Sequence, residues 1–166
     1  YNRVRKLVSN QKVDIDTFFY PLDTIKNWNK IYGKNGFTQY QFILPKKTSF
    51  KGLEEILNII SMSGKGSFLA VLKLYGKSNE NYLSFPLEGY SLALDFKIEK
   101  GLFELLDKLD EIVLKYNGRI YLSKDVRVNK ETFEKGYPLI DKFRSLRKKL
   151  NMNIKFNSLQ SIRLKI

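Results

Sequence analysis

From residue 37 the chain switches between period-two and helical patterns of hydrophobicity, in the same order twice. Residues 37–44, Phe-Thr-Gln-Tyr-Gln-Phe-Ile-Leu, read as a strand that Pro45 stops. Phe50, Leu53, Ile56, Leu57 and Ile60 then recur at helical spacing, which predicts a helix from about 50 to 63. Thr48 or Ser49 would cap it, and Ser63-Gly64-Lys65-Gly66 would end it. A second strand is expected at 67–75, followed by a polar turn at 76–81. The order then repeats, with strand 90–97, helix 101–116 and strand 119–122. Leu102, Leu105, Leu106, Leu109, Ile112, Val113 and Tyr116 form that helix's apolar face, and Asn117-Gly118 stops it.

Strand–helix–strand twice over is the split βαβ order. It predicts an α+β, ferredoxin-like fold: an antiparallel sheet with its helices on one face and the other face free to cover something. C-terminal helices are added to this unit. Asn129 can cap a short helix near 130–136, and a second, basic helix is expected over 138–149. The last stretch, 153–166, alternates weakly and reads as a strand or a tail. Phe18 to Asp23, an aromatic cluster interrupted by Pro21, is expected to be extended or turn-like. The first dozen residues are polar, basic and without period, the pattern of an arm or linker.

Composition narrows the chemistry. With 166 residues, 43% of them hydrophobic, the chain can bury the core of one domain. It has neither cysteine nor histidine. Disulfides, thiolate chemistry and histidine-based triads are excluded, and no metal site is expected. Thirty Lys and Arg against 17 Asp and Glu leave a net charge of +13, which calls for an anionic partner: nucleic acid, a membrane surface or a phosphorylated substrate. No apolar run reaches membrane-spanning length and no signal peptide is visible, so a cytoplasmic location is the expectation. The chain opens on Tyr1 rather than Met, which reads as a piece of a longer protein with the remainder upstream.

Candidate chemistry follows from the strands. Period-two geometry puts Gln39 and Gln41 on one face of the first strand and Tyr40, Phe42 and Leu44 on the other. The glutamines are either a solvated sheet face or a polar floor whose amides both donate and accept. Leu69, Val71, Lys73 and Tyr75 share a face of the second strand. Lys73 there must sit at the rim or meet an anion, since burying an isolated ammonium is costly. Ser91, Ala93 and Asp95 share a face of the third strand, and Asp95 could pair with a lysine of a neighbouring strand. The exit Arg119 to Arg127 collects three basic groups, one acid and Tyr121. Lys124 in it could hold an anionic oxygen or stabilise negative charge; the bland alternative is a surface turn with local salt bridges. No GxGxxG or GxxxxGK[ST] phosphate loop is present. Nucleic-acid binding rests on charge alone, without a readout motif, and stays a distant alternative.

Several of these segments, in this order, carry a resemblance. They are Phe19-Tyr20-Pro-Leu-Asp, Trp28-Asn-Lys-Ile-Tyr-Gly33, Gly36-Phe-Thr-Gln-Tyr-Gln-Phe42, Ser67-Phe-Leu-Ala-Val-Leu-Lys73, Leu83-Ser-Phe-Pro86, Leu94-Asp-Phe96, Gly118-Arg-Ile-Tyr-Leu-Ser-Lys-Asp-Val-Arg127 and Tyr137-Pro138. Together they resemble the C-terminal half of the decaprenylphosphoryl-β-D-ribose oxidases. These are FAD-dependent relatives of vanillyl-alcohol oxidase and of the aldonolactone oxidases. The resemblance implies that residues 1–14 are an arm from an upstream FAD-binding domain and that 15–166 form the substrate-side cap. It implies a site in which Lys124 is catalytic. Gln39, Gln41, Tyr121, Lys73, Leu69 and Val71 would face substrate and flavin, with Tyr20 and Lys30 near the mouth. Ser91 and Ala93, where some members carry Asn and Cys, would close the wall.

The implied reaction is oxidation of a sugar secondary alcohol by hydride transfer to the flavin. The implied partners are the FAD domain, a phosphorylated or lipid-linked sugar, and a short-chain reductase that takes the keto product. An aldonolactone oxidase is the alternative within the same superfamily. The inner face of the membrane is the variant location that a lipid-linked substrate allows.

Overall fold

The computed structural model describes residues 12–21, 23 and 25–166, so most of the 1–14 arm lies outside the described residues. The chain forms α1 (Ile15–Phe19), a 3-10 turn (Trp28–Tyr32), β1 (Phe37–Pro45), α2 (Ser49–Met62), β2 (Ser67–Tyr75), β3 (Gly89–Lys97), α3 (Leu102–Lys115) and β4 (Arg119–Ile120). A second 3-10 turn (Leu122–Lys124) leads to α4 (Lys130–Gly136), α5 (Ile140–Lys149), α6 (Met152–Lys155) and α7 (Leu159–Leu164). The sheet order is β2-β3-β1-β4 and every pairing is antiparallel. This is the predicted split βαβ arrangement.

The main core lies between the sheet and the helices. Tyr40, Phe42 and Leu44 of β1 and Leu92, Leu94 and Phe96 of β3 meet Ile56 and Ile60 of α2 and the Leu102, Leu105, Leu106, Leu109, Ile112 and Val113 face of α3. Asn117, in the left-handed region at φ 58°, turns the chain out of α3 as expected, and the Gly118 N–H donates to the Val113 carbonyl at 2.8 Å. Within this core Tyr40 Oη donates to Asp110 Oδ1 at 2.9 Å, and Arg127 lies 2.9 Å from Asp110 Oδ2 while also pairing with Asp107.

Four local expectations are corrected. Phe18 and Phe19 are helical, not extended. Asp14 accepts from the Asp16 N–H at 2.9 Å and caps α1, and Pro21 restricts only its predecessor Tyr20, at which the helix ends. Phe50 is 79% exposed rather than part of the apolar stripe. The first turn of α2 presses Gly52 onto the sheet so closely that a Cβ there would lie 2.5 Å from Leu44 Cδ1, which turns Phe50 outward. Neither Thr48 nor Ser49 caps α2 by accepting a bond, because both hydroxyls donate to earlier or distant carbonyls, Thr48 to Tyr116 O at 3.0 Å and Ser49 to Lys46 O at 3.0 Å. The stretch 153–166 is helical, not a strand. Ser158 and Ser161 form a reciprocal capping box that starts α7.

Candidate functional site

The sheet face opposite the helices carries a polar floor between two aromatic walls. Register across β1 and β3 sets Gln39 opposite Asp95, Gln41 opposite Ala93 and Ile43 opposite Ser91. On the other side of β3, Val71 lies opposite Ala93 and Lys73 opposite Ser91. Gln39 Nε2 donates to Asp95 Oδ1 at 2.7 Å, and Gln41 Nε2 donates to Ser91 Oγ at 3.0 Å. Each amide thus uses its NH2 inside the floor and keeps its carbonyl oxygen free of hydrogen bonds among the described residues. Gln41, Ser91, Ala93 and Asp95 are all buried. The polar ones are tolerated there because they are paired with one another.

Asp95 has a second partner, Tyr32 Oη, which donates to Oδ2 at 3.3 Å. This replaces the lysine pairing expected from the sequence. Lys73 stands opposite Ser91, two strand positions beyond the residue that faces Ala93, and its side chain is exposed at the rim. Gln39 and Tyr32 reach Asp95 from the β1 side instead. Burial and then the Asp95 carboxylate push the Tyr32 phenol pKa up, so it stays a neutral donor.

Aromatic rings flank the floor. At one end Tyr32 stacks on Phe37 with ring centres 4.4 Å apart, Trp28 lies 5.6 Å from Phe37, and Phe68 meets Tyr32 edge-on at 5.3 Å. A cavity of about 410 Å³ opens beside this wall, lined mainly by Ile25, Trp28, Ile31, Tyr32, Phe68 and Leu69. At the other end Phe85 packs against Tyr121 at 4.4 Å and Tyr75 at 5.9 Å, over Ile43 and Leu87. The strand start at Gly89 depends on a bare backbone, since a Cβ there would sit 1.9 Å from the Leu44 carbonyl oxygen.

The predicted exit strand 119–122 is shorter than expected. Ladder pairing ends at Ile120, the Tyr121 N–H makes one more bond to Gln41 O at 2.8 Å, and the chain then winds into the 3-10 turn. That change of period sends the three basic groups in different directions. Arg119 donates to Ser84 O at 2.8 Å and lies 5.5 Å over the Tyr137 ring. Arg127 enters the core with Asp110 and Asp107. Lys124 alone is exposed and forms no ion pair among the described residues. Asp125 is a structural clip rather than a site residue. Its side chain is 1% exposed, accepts from the backbone N–H groups of Arg127 at 2.9 Å and Val128 at 2.7 Å, and pairs with Arg163.

The strand register therefore brings Gln39, Gln41, Val71, Lys73, Ser91 and Ala93 together. Tyr121 joins them through its backbone bond to Gln41, and Leu69 borders the adjoining cavity. Tyr20 and Lys30, both exposed, make no hydrogen bond or ring contact with the floor. Sequence reasoning missed Tyr32 and Phe85 as wall residues and Asp95 as the anchor of Gln39. No helix of the described residues is long and apolar enough to cross a membrane.

No protein-family model matches the chain. Among curated proteins, it is 39% identical to decaprenylphosphoryl-beta-D-ribose oxidase of Mycolicibacterium smegmatis over 157 residues, which is 95% of this chain and 34% of that protein. It is 36% identical over 107 residues to an uncharacterized protein in the mprA 5' region of Streptomyces coelicolor, covering 64% of this chain and 29% of that one. The chain thus spans about a third of the length of the curated relatives it matches. Identity at this level over nearly the whole chain makes it a homologue of decaprenylphosphoryl-β-D-ribose oxidase, the counterpart of one portion of that protein.

Proposed function

We propose that this chain is the substrate side of an FAD-dependent oxidoreductase that oxidises a secondary alcohol of a sugar, of the polyprenyl-phosphoryl ribose type. The observation that carries the reading is the polar floor on the sheet face away from the helices, half-exposed at Gln39 and buried at Gln41, in which both amides keep their carbonyl oxygens free of hydrogen bonds among the described residues while Asp95 and Ser91 hold their NH2 groups. The face suits a flat, hydrogen-bonding ring system: it lies between aromatic walls, with the exposed Lys73 on its edge strand and the exposed Lys124 on the turn that follows Tyr121. The chain has no phosphate loop, so the dinucleotide's phosphates would be held by the upstream FAD domain. FAD, when bound, supplies the hydride acceptor.

The chain's own residues then have distinct tasks. Gln39 and Gln41 accept from sugar hydroxyls and fix which carbon faces the acceptor. Lys124 holds an anionic oxygen or stabilises negative charge as it develops. Lys73 offers a second ammonium for a substrate phosphate. Tyr121 and Phe85 shield one end from water. A lipid-linked substrate places the enzyme at the inner face of a membrane, and the keto product suits a short-chain reductase.

The test is the longer flavoprotein, mixed anaerobically with polyprenyl-phosphoryl ribose or with an aldonolactone. Bleaching of the flavin absorbance by the first substrate is expected. Lys124→Ala should slow it about a hundredfold, the loss typical of removing one preorganised charge-stabilising group. A protein that binds no flavin, or a variant that bleaches at the parent rate, overturns the reading. Bleaching by the aldonolactone alone moves the substrate to that class.

A further inference from the structure

Lys124 lies on a three-residue turn outside the sheet ladder, and a long flexible lysine is useful only if its backbone is held. The turn is pinned on both sides. Upstream, the Tyr121 N–H donates to Gln41 O at 2.8 Å, which ties it to the floor. Downstream, the ties come from α7. Gln160 Nε2 donates to the Leu122 carbonyl at 2.7 Å and to Asp125 Oδ2 at 3.2 Å. Arg163 pairs with the same Asp125 oxygen and donates to Val126 O at 2.6 Å. Two side chains one helical turn apart on α7 therefore hold the chain on both sides of Lys124, at Leu122 before it and at Asp125 and Val126 after it.

We infer that Gln160 and Arg163 are positioning residues for Lys124. α7 is a brace that fixes the turn carrying the lysine, which Tyr121 ties to Gln41, and neither residue touches substrate. The inference rests on the role given to Lys124 above. Because Gln160 grips the carbonyl of Leu122, inside the lysine's own turn, as well as the buried Asp125 carboxylate, losing it loosens the segment that carries Lys124 and not only the packing of α7.

Two measurements on the intact flavoprotein separate this inference from the reading beneath it. Hydrogen exchange over residues 121–126 should quicken about tenfold in Gln160→Ala and Arg163→Met, the scale of one or two lost hydrogen bonds. Unchanged exchange overturns the brace. Flavin reduction should slow about tenfold in each variant when Lys124 is present, with substrate affinity changed less than about threefold. It should not slow further when the same changes are made in Lys124→Ala, because residues acting through one group are not additive. Equal slowing with and without the lysine overturns the inference and leaves a structural helix. Should Lys124→Ala itself leave the rate unchanged, the lysine's role falls and the inference with it, whatever the exchange shows. Gln160→Ala, the milder change, keeps the test in force if Arg163→Met does not fold.

Discussion

Asp110 is a carboxylic acid inside the main core, and it should make stability fall as pH rises through mild acidity. Burial raises its pKa from 3.8 to about 6, against the opposing pull of Arg127 and the Tyr40 hydrogen bond. Because the folded-state value exceeds the unfolded one, the folded chain holds an extra proton between about pH 4 and pH 6. This contribution to stability is fully present below pH 4 and is lost as pH rises through 6. At about 1.4 kcal/mol for each pH unit between the two values, the loss is on the order of 3 kcal/mol.

Asp110→Asn isolates the effect. The amide keeps an acceptor for Tyr40 Oη and cannot ionise, so whatever it costs opposite Arg127 is the same at every pH. Glu55 and Glu99 slope the other way. Hydrogen bonds from Lys115 and Tyr116 to Glu55, and from Lys65 to Glu99, hold both carboxyls below the usual range, and the stability they supply is lost as pH falls. Both are present in either protein and cancel in the difference. Urea unfolding of the two proteins in steps from pH 4 to pH 7 should show the wild type losing about 3 kcal/mol relative to Asp110→Asn. Parallel stability curves would refute the assignment of a desolvated carboxylate to Asp110.

Two further substitutions test the frame of the site. Gly89→Ala should cost about 2–4 kcal/mol in urea unfolding, since its Cβ meets a backbone oxygen that cannot yield, whereas Gly66→Ala, with open space around it, should change stability by less than about 0.5 kcal/mol. Gln39→Leu removes the stronger of the two side-chain donors to the buried Asp95. A loss of about 1–3 kcal/mol in urea unfolding is expected, the cost of leaving a buried acceptor without its shorter hydrogen bond; an unchanged stability would mean that Tyr32 alone suffices.

The sheet was legible because its strands keep strict period two and its helices keep an apolar face. Those two rules place Tyr40, Phe42 and Leu44 on the core side and Gln39 and Gln41 on the other without any tertiary information. The partners of the site residues were not legible, because they are set by register between strands. A shift of the pairing between β1 and β3 would have put a different residue opposite Asp95, and nothing within either strand fixes that pairing. The walls failed for a related reason. Tyr32 and Phe85 sit in a 3-10 turn and a loop, where no period says which way a ring points.

The basic surplus shows the same limit and then resolves it. In the sequence, arginines and lysines are one count. In the structure they separate by chemistry. Every described arginine uses its planar fork inside the protein: Arg119 on Ser84 O, Arg127 on Asp107 and Asp110, Arg144 on Glu134, Asp141 and the Leu164 and Lys165 carbonyls, Arg147 on Phe156 O, and Arg163 on Asp125 and Val126 O. Among the described lysines, ion pairs form at Lys65, Lys115 and Lys130. Lys73 and Lys124 belong to the unpaired remainder. The charge available to an anionic ligand is therefore borne by ammonium groups on flexible stems, which act as point charges rather than as bidentate forks. Such groups attract an anion without fixing its orientation. If a sugar is to be held in one reactive pose, the orientation must come from the Gln39–Gln41 floor and from the brace that fixes Lys124, not from the net charge.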